Sequence, residues 1–287
     1  MTDSTAKVAL FWDESFLWGL IAYDTFREIG VEFDLFTSED IREGALEGYR
    51  LLFVPGGWAS DKIVALGNKG REQIRNFVEA GGGYLGICGG AGLALSHETG
   101  LALVPVSRKP TKVRLPSFSG GIALEPVDVE HPMWRGLAAV SGVPASGGAP
   151  ADSSGVPSGG GAAGYTSAPG SESFHAWWPG QFALKDAGNV KVIAIYGAPA
   201  SGSFVTDLPV FPEMDWEAWE RSYGINLDPK RIIGEPAVIE SRFGAGKVLL
   251  SYLHFETPGD KTGHAVLLNI LEYLAGGKTV TTPASKD

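Results

Sequence analysis

The chain has 287 residues, 44% of them apolar, and its 23 Lys and Arg against 33 Asp and Glu leave a formal charge of -10. That length and apolar share suit a globular core and exclude a disordered chain, and the acidic balance argues against nucleic acid or an anionic membrane as a partner. A single cysteine excludes an intrachain disulfide, the opening MTDSTAKVALFWDESF lacks the basic and long apolar regions of a secretory leader, and no later stretch is apolar enough to span a bilayer, so a cytoplasmic protein is expected.

In chain order, KVALFW is a short apolar run of the kind that becomes a buried parallel strand, and a helix is predicted from about Phe16 to Ile29. VEFDLF alternates like a second strand, SEDIREGAL is a short polar helical piece, and YRLLFVPGG is a third strand ending in a tight turn. A helix over GREQIRNFVEA is ended by Gly81 to Gly83, which release a fourth strand, YLGIC, that runs straight into the helically spaced GGAGLALSHE. Strands alternating with helices predict an α/β fold with a largely parallel central sheet, helices on both faces and ligands at the carboxyl ends of the strands.

After Leu101 the rhythm changes to GGIALEPVDV, VKVIAIYG and EPAVIESRFGAGKVLLSYLHF, with a closing helix over GHAVLLNILEYLAGG. The last strand pair turns at Gly244 to Gly246 like a hairpin, so antiparallel strands are added to the sheet. Ser141 to Gly170 is almost entirely Gly, Ser, Ala and Pro, a composition that buries too little apolar surface to offset its ordering entropy. It is read as a surface loop, with an interdomain linker as the alternative. A second insertion, at about 199–233, is expected to carry a short amphipathic helix whose Trp216 and Trp219 cover apolar surface. The expected organisation is one domain over 1–277 with insertions at 141–170 and about 199–233, then a tail at 278–287.

Cys88 stands at the strand-to-helix turn, flanked as Gly86-Ile87-Cys88-Gly89-Gly90. A nucleophile on such an elbow sits in strained backbone, where neighbouring side chains would clash and glycines are needed. A helix start favours an anion by only about 0.3 to 1 kcal/mol, and an ordinary thiol is mostly protonated at pH 7, so activation calls for a cationic partner. Among the five histidines the informative one is in SYLHFE, where His254 and Glu256 are two apart at a strand end. That spacing puts both side chains on one face, so Glu256 could hold the imidazole while its other nitrogen meets the thiol. The constellation is a Cys-His-Glu triad: Cys88 nucleophile, His254 base and then acid, Glu256 orienter. A buried thiol beside an unrelated His-Glu pair is the bland alternative. His97, read at the end of the elbow helix, and His131, in a turn, are taken as structural, and His264 as the opening of the last helix. No metal-ligand spacing or phosphate loop is present, and no cofactor is implied.

The G-x-C-x-G elbow, the Pro55-Gly56-Gly57 turn and the late H-x-E, in that order, resemble the class I glutamine amidotransferase superfamily. Within it, IRNFVEAGGGYLGICGGAGLAL, DVEHPMWRGL and ESRFGAGKVLLSYLHFE are most similar to the domain at the N-terminus of eukaryotic biotin-protein ligases and in stand-alone bacterial proteins. The resemblance spans about Lys7 to Gly276 outside the two insertions and implies a flavodoxin-like fold. It also implies an oxyanion hole made by the backbone amides of Gly57 and Gly89, both of them donors at carboxyl ends of strands.

Departures from the pattern bear on function. Glutamine amidotransferases usually carry a glutamine where this chain has Gly92, so free glutamine is expected to be a poor substrate. The signatures of a biotin ligase catalytic domain are missing, so biotinylation is not expected. In a related peptidase and chaperone branch an acidic residue after the first strand contacts the cysteine. Glu14 stands there, either as a pocket neighbour or as a helix N-terminal carboxylate. FHAWWPGQF, with His175, Trp177 and Trp178, resembles the aromatic segment near the active site of the biotin-ligase-like group, a core aromatic patch being the alternative. Two functions follow: a cysteine-dependent amidase or hydrolase of a small amide, or a non-catalytic ligand-binding or regulatory domain that keeps the elbow. Either takes a small-molecule substrate or ligand, and a homo-oligomer stays open.

Overall fold

The computed structural model describes residues 6–115, 117–137, 173–184, 188–211 and 213–281. The expected 141–170 insertion and most of the tail lie outside those residues. The first strand, β1 (Val8–Phe11), is four buried apolar residues, followed by α1 (Phe16–Glu28) and β2 (Phe33–Phe36). A capping box between Thr37 and Asp40 opens the five-residue α2 (Ser38–Arg42) by satisfying end N–H groups that a helix this short cannot pair itself. The buried run β3 (Leu51–Val54) precedes α3 (Ala59–Glu79), which begins well before its predicted start and is broken by Gly67 at φ 58°. Next come β4 (Gly83–Ile87) and α4 (Gly89–Ala94).

The elbow helix is shorter than its spacing predicted. Leu95 turns to extended backbone at ψ 162° and bridges to Val104, so the apolar side chains after Ala94 pack in a loop, and His97 is an exposed loop residue rather than a helix end. Tertiary packing here outweighs local helical preference.

The remaining elements are β5 (Ser107–Arg108), β6 (Phe118–Pro126), β7 (Ser173–Trp177), β8 (Phe182–Ala183), β9 (Lys191–Pro199), β10 (Phe204–Val205), β11 (Leu208–Pro209) and α5 (Trp216–Tyr223). The chain then forms β12 (Pro236–Phe243), β13 (Gly246–Ser251), β14 (Leu253–His254) and α6 (Lys261–Leu274). In α5, Trp216 is buried and Trp219 packs against the core.

Among the described residues the main sheet runs β11-β10-β6-β9-β12-β13-β4-β3-β1-β2, with β7 paired to β6 and β14. From β13 through β4, β3 and β1 to β2 every pairing is parallel, in the doubly wound order. From the β12–β13 hairpin outward the pairing is antiparallel. Part of the second expected insertion is thus sheet: β10 and β11 extend the edge beside β6. FHAWWPGQF differs too, because its first residues form β7, wedged between β6 and the strand that carries His254.

Candidate active site

The elbow is fixed by steric contact. Cys88 has φ 50° and ψ -103°, outside the comfortable range for an L-residue, and its N–H donates to Ser251 O at 2.8 Å, extending the β4–β13 pairing by one bond. A Cβ on Gly89 would lie 1.8 Å from Gly57 O, so the two glycine backbones touch. Gly57 itself has φ +105°, and a Cβ there would lie 2.3 Å from Glu14 O. Tyr84, buried in β4, donates its hydroxyl to Gly90 O at 2.8 Å and ties the turn to the sheet.

His254 and Glu256 are both fully buried, with imidazole Nδ1 2.7 Å from Glu256 Oε1. The Trp18 ring of α1 stacks on the imidazole, centroids 3.9 Å apart and planes 23° from parallel, and Thr25, further along the same helix, donates to Glu256 O at 2.8 Å. One helix thus holds both residues. Among the described residues Nε2 of His254 has no hydrogen-bond partner; the Cys88 thiol donates to Trp177 O at 3.9 Å and acts on the ring electrostatically. Burial pulls the imidazole down, but the Glu256 charge, its hydrogen bond and the Cys88 thiol outweigh that and push it up to about 10.

The thiol faces a cavity of about 570 Å³. Its walls include the aromatic side chains Phe16, Trp18, Trp58, Trp177, Trp178 and Tyr252; Cys88, Gly57, Gly89 and Gly92 also line it, together with Arg108 and Arg114. Trp177 meets Trp18 edge to face at 5.8 Å, and Trp178 lies 6.1 Å from Trp58. Three of the lining residues, Phe16, Cys88 and Trp178, are non-glycines at positive φ, backbone strain of the kind that clusters at functional sites.

Not every candidate from the sequence reaches the cavity. His175 sits in β7 opposite His254 and stacks on Trp177, but it is not among the lining residues. Glu14 contributes its backbone carbonyl against Gly57 rather than a carboxylate to the cavity wall. His131 accepts from Met133 N at its own turn, and His264, buried in α6, contacts Thr257 O. Among the described residues no three His, Cys, Asp or Glu side chains converge as metal ligands would.

Two residues of the site had no signal in the sequence. Trp18 looks like any helix aromatic until α1 is laid against β14. Lys62, three residues into α3, is fully buried and donates to Ser15 Oγ at 2.7 Å, Glu14 O at 3.0 Å and Asp13 O at 3.2 Å. It clamps the loop that presses on Gly57, and burial, only partly offset by the charges of Glu14, Cys88 and other acids nearby, lowers it to about 7.

Comparison with known proteins agrees with this architecture. Residues 42–99 match the family described as biotin-protein ligase, N terminal. PurLQS from Thermotoga maritima superposes over 94% of this chain and 100% of its own, with a TM-score of 0.55 and 16% identity. A GMP synthase component from Thermoplasma acidophilum does so over 95% and 96%, with a TM-score of 0.51 and 13% identity. The fold is that of the class I glutamine amidotransferases. A ThuA-like protein from Bacteroides uniformis shares it at a TM-score of 0.52 and 14% identity over 96% of this chain and 93% of that one. At such identities the glutamine amidotransferase-like likeness is one of fold, and it carries no residue roles. No curated protein sequence matches the chain. Among the described residues no helix is long and apolar enough to cross a membrane.

Trp178 is 54% exposed. Trp178→Ala should therefore cost far less than the roughly 3 to 5 kcal/mol of a core tryptophan. The same variant should change the rate at which thiol reagents label Cys88. Unchanged labelling with a large drop in denaturant midpoint would make Trp178 a packing residue instead.

Proposed function

We propose that the chain is a cysteine-dependent amidase or hydrolase of a small amide, with Cys88, His254 and Glu256 as its triad. The observation that carries this reading is the His254 ring, bonded to Glu256 at 2.7 Å, stacked on Trp18 and coupled to a thiol that opens on a cavity. In the reaction the proton of Cys88 is held on His254 Nε2, Sγ attacks the amide carbon as the thiolate, and the oxygen that becomes an anion turns toward the Gly57 and Gly89 amides. The C–N bond then breaks, His254 returns the proton to the leaving amine, and a thioester remains on Cys88. Water cleaves the thioester to the acid and restores the thiol. Glu256 keeps the imidazole turned so that Nε2, not Nδ1, meets the sulfur.

Iodoacetamide alkylation of Cys88 at pH 7 should slow about tenfold or more in His254→Ala, because the sulfur loses the cationic imidazole that favours its reactive anionic form. Equal rates would sink the triad and leave a ligand-binding domain that keeps the elbow without the chemistry. Gly92 lines the cavity with no side chain to grip a free amino acid. Ammonia release from glutamine should accordingly stay below the range typical of enzymes, about 1 to 1,000 per second. Release within that range would show that the position needs no side chain.

A further inference from the structure

The cavity wall carries two kinds of chemistry: Cys88 and the glycines of the elbow line it, and so do Arg108 and Arg114, with Tyr252 electrostatically coupled to both arginines and to the thiol. Arg108 is the last residue of β5, and that strand is pinned to β8 by the Arg108–Phe182 pairing and by Lys109 N donating to Gln181 O at 2.8 Å. Gln181 Oε1 also accepts from Leu115 N at 3.3 Å, which fixes the chain on the far side of Arg114. Both guanidiniums are therefore held on a segment braced directly after the Trp177-Trp178 wall.

Three features ask for an anion there. The arginines are close enough for Arg108 to lower Arg114 by like-charge repulsion, on top of burial. Arg108 has no carboxylate partner among the described residues. Tyr252, only 2% exposed and part of the same wall, has a hydroxyl with no hydrogen-bond partner among the described residues, an unusual state for a buried phenol and one that a ligand acceptor would end. A carboxylate would relieve the repulsion, accept from a planar guanidinium and accept the phenol O–H. The indole rings of the wall suit an apolar or aromatic body, and a cavity of about 570 Å³ exceeds the needs of a free amino acid.

We infer that Arg108, Arg114 and Tyr252 form a carboxylate subsite, and that the ligand is an amide whose apolar body also bears a carboxylate. That the ligand is an amide rests on the amidase reading; the anion subsite does not.

The test uses Cys88→Ala protein, in which no thiol chemistry intervenes, and follows the fluorescence of the wall tryptophans. Titration with 4-(acetamidomethyl)benzoate should give a Kd about tenfold or more below that for neutral N-benzylacetamide, and the advantage should shrink as salt is raised. In the Arg108→Ala/Arg114→Ala background the advantage should fall to about twofold or less; if that protein does not fold, Arg108→Ala alone and Tyr252→Phe should each reduce it. Equal affinities, absence of binding by the benzoate, or a preference that survives loss of the arginines would overturn the subsite. Failure of the amidase reading is read separately, as alkylation of Cys88 that ignores His254, and leaves these Kd values untouched.

Discussion

Lys62→Met is expected to leave a protein that loses stability steadily as pH rises from about 6.5 to about 10, whereas His254→Ala is expected to gain it between about 7 and about 10.5. His254 is raised in the fold, so its contribution is fully present below the unfolded value of 6.5 and disappears as pH climbs through about 10. Lys62 is depressed, so in the window from about 7 to 10.5 the unfolded chain holds a proton that the folded chain lacks, and raising pH favours folding. Each slope is limited to about 1.4 kcal/mol per pH unit, and in the parent the two oppose one another over most of their range. Removing either group unmasks the other. Denaturant midpoints at half-unit pH steps for the three proteins are the measurement. Parallel profiles in all three would mean that neither group is held in its buried charge environment, and the electrostatic account of the site would fall.

Gly89→Ala is expected to cost at least about 3 kcal/mol, at the upper end of overpacking penalties, or to yield no soluble protein. Its Cβ would meet Gly57 O at 1.8 Å and Gly57 C at 2.7 Å, and both are backbone atoms that cannot swing aside. Gly57 in turn is pressed by Glu14 O, which Lys62 holds at 3.0 Å. Gly92→Ala is the matched control, because its Cβ would approach only Ala59 Cβ, at 3.3 Å. A chemical denaturation series on the pair separates local crowding from loss of helical glycine in general. If Gly89→Ala unfolds within about 1 kcal/mol of the parent, the two glycine backbones are not locked together, and the proposed oxyanion hole loses its structural basis.

The elements legible in the sequence are those whose physics is local. VALF, LLFV and the YLGIC run announce strands buried on two sides because nearly every residue is apolar, and Phe16 to Glu28 announces a helix by its spacing. The Gly244 turn sets the β12–β13 hairpin, and the glycines around Cys88 mark an elbow because only Gly tolerates such close backbone approach. His254 and Glu256 could be paired on paper because two residues along an extended chain return to one face. What lay beyond reach depends on contacts between distant segments. Trp18 reaches His254 only because α1 packs under β14, and Lys62 is buried only because the loop at Asp13 to Ser15 folds over it. The elbow helix stops at Ala94 although its spacing continues, since Leu95 finds its partner at Val104. Likewise nothing in the sequence singles out Arg108 and Arg114; with β5 paired to β8, both line the cavity that holds Cys88. Side-chain period and backbone sterics act between near neighbours and are written in the sequence; burial, ring stacking and charge coupling act across chain closure and exist only once the sheet has assembled.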